Sequence, residues 1–307
     1  MMPIAERAAA RAHARRNDRR TRPWPGLHAW WELTKPGITR LILVTTGVGF
    51  YLGSAGGLDV LALLNTLFAT ALVASGANAL NQYVERDADA LMRRTSARPL
   101  PSRRIGNLEA LLFASGLSFV GLVHLFFLVN ALTAAVIAAS LLSYVLVYTP
   151  LKRKTWMATL VGTLPGALPA LAGWTAATNG IGRGGLAIFA IVLVWQMPHF
   201  FALGWMYRED YARGGFRMLS GIDPQGNRTA RQTVLYTLAL LPVSLLPAVF
   251  HMTGWLYPIG ALVLGGLFLG AGLSFFTDRA RGRARRVFVA SILYLPALLA
   301  LLVIDKS

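Results

Sequence analysis

The chain has 307 residues, of which 55% are apolar and 14% charged, yet its formal net charge is +17. A charged fraction so far below the roughly 25% of ordinary soluble domains excludes most soluble folds, and the apolar content excludes extended disorder. There is no cysteine, which excludes a disulfide framework, a thiolate metal site and a cysteine nucleophile.

The first 37 residues read as a basic arm. The stretch from Glu6 to Arg22 is rich in Arg and almost free of acids. Two readings stand: a cytoplasmic arm lying near anionic lipid or a mitochondrial transit peptide. It does not read as a secretory signal, because no short apolar segment with a cleavage site follows. Trp24, Trp30 and Trp31 then suit a membrane interface, and Lys35 and Pro36 mark the start of the first span.

From residue 38 to 307 the pattern is that of one polytopic, all-α membrane domain. Nine apolar runs reach the roughly 17–23 residues that a bilayer core requires: 38–57, 60–80, 108–128, 131–149, 157–177, 185–206, 233–252, 256–276 and 287–304. With the amino terminus inside, all but two of the 30 Lys and Arg fall in inner segments, the exceptions being Arg183 and Lys306. That is the positive-inside distribution. It argues against a soluble helical core and against nucleic-acid binding.

The acids are few enough to take singly. Glu6, Asp18, Glu32, Asp59, Glu109, Asp278 and Asp305 lie in loops or at span ends. The rest form two inner groups embedded in Arg. After the second span comes NQYVERDADALMRRTSARPL. If that helix runs on, Asn81, Glu85 and Asp89 recur at i, i+4 and i+8 on one stripe, which drifts by about 40° per step, while Asp87 points the other way. Oxygen ligands on one face suit Mg²⁺, a hard ion that binds one or two carboxylates together with substrate phosphate. Arg93, Arg94 and Arg98 follow, and Arg is a bidentate phosphate partner. The plainer reading is a solvated helix with i,i+4 salt bridges.

Between the fourth and fifth spans, Lys152, Arg153 and Lys154 lie on the same inner side. Gly162, Pro165, Gly166, Pro169 and Gly173 follow, and such residues let helices approach closely or open a cavity. The sixth span carries His199, and Glu209 and Asp210 come after it, with Asp223 further along. On a continuous helix His199 and Asp210 are three turns apart and share a face. An ionisable residue inside a span is a functional candidate; the alternative is a neutral His199 bonded to a nearby carbonyl. His124 in the third span has no motif around it and reads as packing.

Taken together, ELTKPGITRL (32–41), NQYVERDADALMRRTSARPLP (81–101), YTPLKRKT (148–155), and WQMPHFFALGW with REDYARGGFRML (195–219) make the chain resemble the UbiA-type intramembrane prenyltransferases. Within that superfamily it is similar to the protoheme IX farnesyltransferase (heme O synthase) family. The superfamily's NxxxDxxxD pattern matches Asn81, Glu85 and Asp89, with Glu in place of the central Asp. The second DxxxD motif is represented only by Glu209–Asp210.

The resemblance implies about nine transmembrane helices around a central cavity, in a multi-pass protein of a bacterial inner membrane, or alternatively a mitochondrial one. It implies transfer of farnesyl from farnesyl diphosphate to a vinyl group of heme b, giving heme O. Mg²⁺ on Asn81, Glu85, Asp89 and Asp210 is implied, with Arg94, Arg98, Lys152 and Arg153 on the diphosphate and His199 near heme. Tyr148, Trp174 and Phe200 are the aromatic candidates for stabilising an allylic cation. Implied partners are membrane lipid, both substrates, and a downstream heme-modifying enzyme or oxidase assembly factor. A quinone-type acceptor, a transporter and a purely structural subunit are the competing readings.

Overall fold

The structure, a computed structural model, describes residues 26–307; most of the predicted basic arm, with Trp24, lies outside them. The described chain is all-α, apart from its loops and one isolated β-bridge between Thr253 and Lys306. A short α1 (Leu27–Leu33) leads into α2 (Pro36–Gly53), α3 (Val60–Leu91), α4 (Asn107–Leu128) and α5 (Ala131–Leu142). The last of these runs on through a π-helical turn, Ser143–Tyr148, to Leu151. Then come α6 (Ala158–Thr178), α7 (Arg183–Met206), the short α8 (Arg208–Arg213), α9 (Asn227–Ser244), α10 (Leu256–Thr277) and α11 (Arg281–Ile304).

Several of the scattered acids turn out to be helix caps. Asp59 accepts the Ala62 N–H at the start of α3, and Glu109 accepts the Gly106 N–H at the start of α4. Asp223 accepts both the N–H and the hydroxyl of Thr229 in α9. Each satisfies amides that a helix start leaves without partners.

Among the described residues, eight helices are long and apolar enough to cross a membrane. The first of the nine predicted spans, 38–57, is also helical, but it stops at Gly53 and is not one of the eight. Its Thr39, Thr45 and Thr46 face inward and are buried. Large apolar side chains such as Phe119, Phe127, Leu267 and Leu293 lie exposed on the outside of the bundle, where hydrocarbon rather than water is the solvent.

The Gly and Pro residues of α6 do both things expected of them. A Cβ on Gly173 would collide with the Thr46 carbonyl, so α2 and α6 pack backbone to backbone there. Pro169 has no N–H to give to the Pro165 carbonyl. The Ser140 hydroxyl donates to that carbonyl instead, at 2.7 Å. Filling the α2–α6 contact should be costly: Gly173→Leu is expected to destabilise the bundle by about 3 kcal/mol or more, seen as a lower unfolding temperature in detergent.

Helices α2, α3, α5, α6 and α7, with Leu295 of α11, enclose a cavity of about 330 Å³. Its wall is mostly aliphatic. Pro165, Gly166 and Pro169 supply part of one side, and Tyr144, Tyr148 and His199 are among its polar-edged members.

Candidate active site

α3 is the axis of the site. It has 32 residues, so it is roughly 48 Å long and outreaches a hydrocarbon core of about 30 Å. The stripe of Asn81, Glu85 and Asp89 lies on its last turns. All three are buried, Asn81 and Asp89 to 1% exposure and Glu85 to 6%. Asp87 points to solvent, as the helical period requires.

Cations from three separate segments converge on the stripe. Arg98 donates to Asp89 Oδ2 at 2.8 Å. Lys152 Nζ stands 2.5 Å from Glu85 Oε1. Lys35, at the α1–α2 junction, donates to Asn81 Oδ1 at 2.7 Å. The Asn81 amide donates in turn to Thr149 Oγ1, whose hydroxyl donates to the Tyr144 carbonyl. Burial, then Arg98 and Lys152, push the Lys35 pKa down to about 7 against the pull of Glu85 and Asp89. Burial opposes the charge of Lys152 too, but Tyr148, Glu85 and Tyr144 raise its pKa above the ordinary lysine value.

The π-helical turn at the end of α5 joins this cluster to the cavity. It sets the Tyr144 and Tyr148 rings 5.6 Å apart, with Lys152 Nζ 4.5 Å from the Tyr148 centroid. Both rings line the cavity. Single π-helical turns of this kind are frequent at functional sites. A Cβ on Gly162 would collide with the Tyr148 ring, so glycine there lets the ring lie against α6. The arrangement is an anion-binding head of carboxylates and cations, seated on an apolar chamber.

The UbiA prenyltransferase family model matches residues 42–298. The chain belongs to that family. It is 47% identical over 284 residues to a protoheme IX farnesyltransferase of Solibacter usitatus, covering 90% of this chain and 97% of that one. Among solved structures, a digeranylgeranylglyceryl phosphate synthase superposes with a TM-score of 0.76 at 19% identity, covering 91% of this chain and 98% of that one. A UbiA homologue of Archaeoglobus fulgidus bound to GPP and Mg²⁺ gives 0.64 at 17%, covering 89% and 99%. The UbiA fold and an enzyme of the prenyltransferase class follow.

Other expected site residues of this UbiA-family chain are placed differently. The shared face of His199 and Asp210 is lost because the helix breaks at Tyr207, whose backbone (φ −116°, ψ 23°) leaves the helical region and separates α7 from α8. Asp210 is buried beside the end of α3. Its oxygens accept the N–H groups of Arg93 at 3.2 Å and Arg94 at 3.3 Å, and it pairs with Arg213. Burial opposes its ionisation, but Arg213 and the two amides hold its pKa below the usual carboxylate value. Among the described residues, no three His, Asp or Glu side chains stand close enough to share one ion. Asp210 thus braces the end of α3 through these two amides.

Of the four expected diphosphate cations, Arg98 and Lys152 join the cluster. Arg94 instead lies over the Tyr207 ring, 5.1 Å from its centroid, and Arg153 is exposed. Phe200 and Tyr148 line the cavity, whereas Trp174 packs against Gly184 and Gly185 at the start of α7. His124 bonds Asn65 at 2.9 Å and packs on Phe68, a structural role. Lys35 is the residue that sequence reasoning missed as a site member. It lies 46 positions from Asn81, and its signals were its place at the start of a span and within the ELTKPGITRL segment.

His199 projects into the cavity and stacks on Trp195. Its Nδ1 lies 2.8 Å from Ser291 Oγ. The single proton of that hydroxyl goes to the Phe288 carbonyl. The serine therefore accepts from His199 Nδ1–H, and the Nε2 lone pair of the neutral ring is left for another partner.

Proposed function

We propose that this chain transfers the farnesyl group of farnesyl diphosphate to a vinyl group of heme b, with addition of water, giving heme O and diphosphate. The observation that carries it is the anion-binding head set on an apolar chamber, in a chain 47% identical to a protoheme IX farnesyltransferase along nearly its whole length. The inner membrane of a bacterium, with the amino terminus and the cluster on the cytoplasmic side, fits the positive-inside distribution. A downstream heme-modifying enzyme or oxidase assembly factor would receive the product.

Magnesium fits the donor set. Asp89 Oδ1 is buried without a hydrogen-bond partner, and beside it on the stripe are the carboxylate of Glu85 and the amide oxygen of Asn81. All are hard oxygen donors. We assign the ion to Asp89, Glu85 and Asn81, and give Asp210 the role of positioning Arg93 and Arg94. When bound, the metal neutralises diphosphate charge and makes it a better leaving group.

The chain's own residues supply the rest. Lys152, Arg98 and Lys35 stabilise the oxygens that gain charge as the carbon–oxygen bond breaks. The cavity takes the isoprenoid chain and keeps water from the allylic cation. Tyr148, Tyr144 and Phe200 offer aromatic faces to that positive charge. The cation's first carbon bonds to the terminal vinyl carbon. The charge then rests on the carbon next to the porphyrin, where water adds and loses a proton, leaving a hydroxyl. Nε2 of His199 is positioned to contact heme.

Two expected results follow. Purified protein given Mg²⁺, farnesyl diphosphate and heme b should form heme O by pigment chromatography, none should form without Mg²⁺, and a phenolic acceptor should not substitute. Prenylation of the phenol in preference to heme would overturn the acceptor. His199→Ala should alter the bound-heme absorption spectrum and lower turnover; unchanged spectrum and rate would remove His199 from the site.

A further inference from the structure

A second pocket, of about 590 Å³, opens where α7 ends. Six arginines line it: Arg93, Arg94, Arg208, Arg213, Arg279 and Arg281. Two acids accompany them. Asp210 is already committed to backbone amides and Arg213, and Glu209 is exposed. The lining therefore carries a large excess of positive charge. Arg208 lies over the Trp205 ring at 4.4 Å and Arg94 over Tyr207, so aromatic faces hold their guanidinium groups in place. Nε of Arg279 is buried and has no hydrogen-bond partner. An unpartnered buried donor on a charged side chain points to a missing acceptor.

The pocket continues a face of α7. His199, Phe200 and Leu203 line the apolar cavity, and Met206 and Tyr207 line the arginine pocket. His199 and Met206 are seven residues, roughly 10 Å, apart along the helix. A ligand with an apolar body and an anionic edge would bridge the two. The other anionic head, diphosphate, is already provided for by Arg98, Lys152 and Lys35. Arginine rather than lysine suits carboxylates, which its planar fork meets bidentately.

We propose that this pocket binds the two propionate carboxylates of heme, with Arg279 and Arg281 as specificity-determining residues. The inference rests on the function proposed above. Held by its propionates, the macrocycle would turn its vinyl-bearing part toward the cavity, where the farnesyl cation forms. The pocket thus sets which edge of the acceptor meets the donor.

The test compares wild-type protein with Arg279→Gln/Arg281→Gln, and with Arg279→Lys/Arg281→Lys as a charge-retaining control. Heme b affinity is read by Soret titration in nanodiscs, and KM is measured for each substrate. The glutamine variant should bind heme b about tenfold or more weakly, with its KM for farnesyl diphosphate unchanged, and the lysine variant should recover part of the loss. Heme dimethyl ester, whose propionates are neutral, should bind wild type and glutamine variant alike. Equal loss for heme b and its ester would overturn the proposal, as would a raised KM for farnesyl diphosphate. A difference seen only in nanodiscs containing anionic lipid would assign the pocket to lipid headgroups and overturn it too. The titration does not depend on turnover. A wild-type protein that binds heme yet makes no heme O would therefore defeat the function and not the pocket.

Discussion

Asp89→Asn is expected to lower heme O formation by roughly 10³-fold or more while folded protein still accumulates in the membrane. Asp89 is the most deeply committed member of the stripe. One oxygen is paired with Arg98 and the other is buried with no hydrogen-bond partner. Asparagine keeps the size and an acceptor for Arg98, so packing survives. What disappears is the negative charge that would hold a divalent ion and balance the guanidinium. Product is measured by pigment chromatography and folding by thermal unfolding in detergent. Near-normal heme O from a well-folded variant would remove Asp89 from the catalytic site.

Lys152→Met is expected to reduce kcat by about 10²–10³-fold, the usual cost of removing one donor from a site of developing negative charge. Its effect on KM for farnesyl diphosphate should be smaller, because the ammonium matters most as the leaving group gains charge. The variant also strands Glu85, and breaking a buried pair by one partner is destabilising by about 3–5 kcal/mol. Glu85→Gln/Lys152→Met tests the stability part alone and should regain much of the lost stability, although it stays inactive because Glu85 is itself assigned to the metal. Lys152→Arg, which keeps the positive charge beside Glu85, tests the chemistry and should retain clearly more turnover than Lys152→Met. Equal kcat in the arginine and methionine variants would remove the charge of Lys152 from the reaction.

Much of this was legible in the chain. The stripe on α3 could be read because a helix long enough to leave the membrane keeps its period, which places Asn81, Glu85 and Asp89 together and turns Asp87 away. The cavity could be read from the prolines and glycines of α6. What could not be read depends on contacts between distant segments or on single backbone angles. Tyr207 ends α7 without a glycine or proline to announce it, so the face shared by His199 and Asp210 does not exist. Lys152 and Arg153 are adjacent, but only one turns toward Glu85. Arg279 and Arg281 look in sequence like ordinary inner-side charges, and only the fold sets them opposite Arg93 and Arg94. The threonines of α2 look in sequence like breaks in an apolar run, and only the fold shows an inward partner such as the Pro169 carbonyl, to which Thr46 donates.

The overhang of α3 has a further consequence. Counting about 20 residues for a hydrocarbon core from Val60 puts the bond-breaking atoms just outside it. On the proposed reaction the spent pyrophosphate would be liberated at the aqueous boundary without crossing lipid, while the greasy product would stay in the bilayer, so that solubility alone would part the two products.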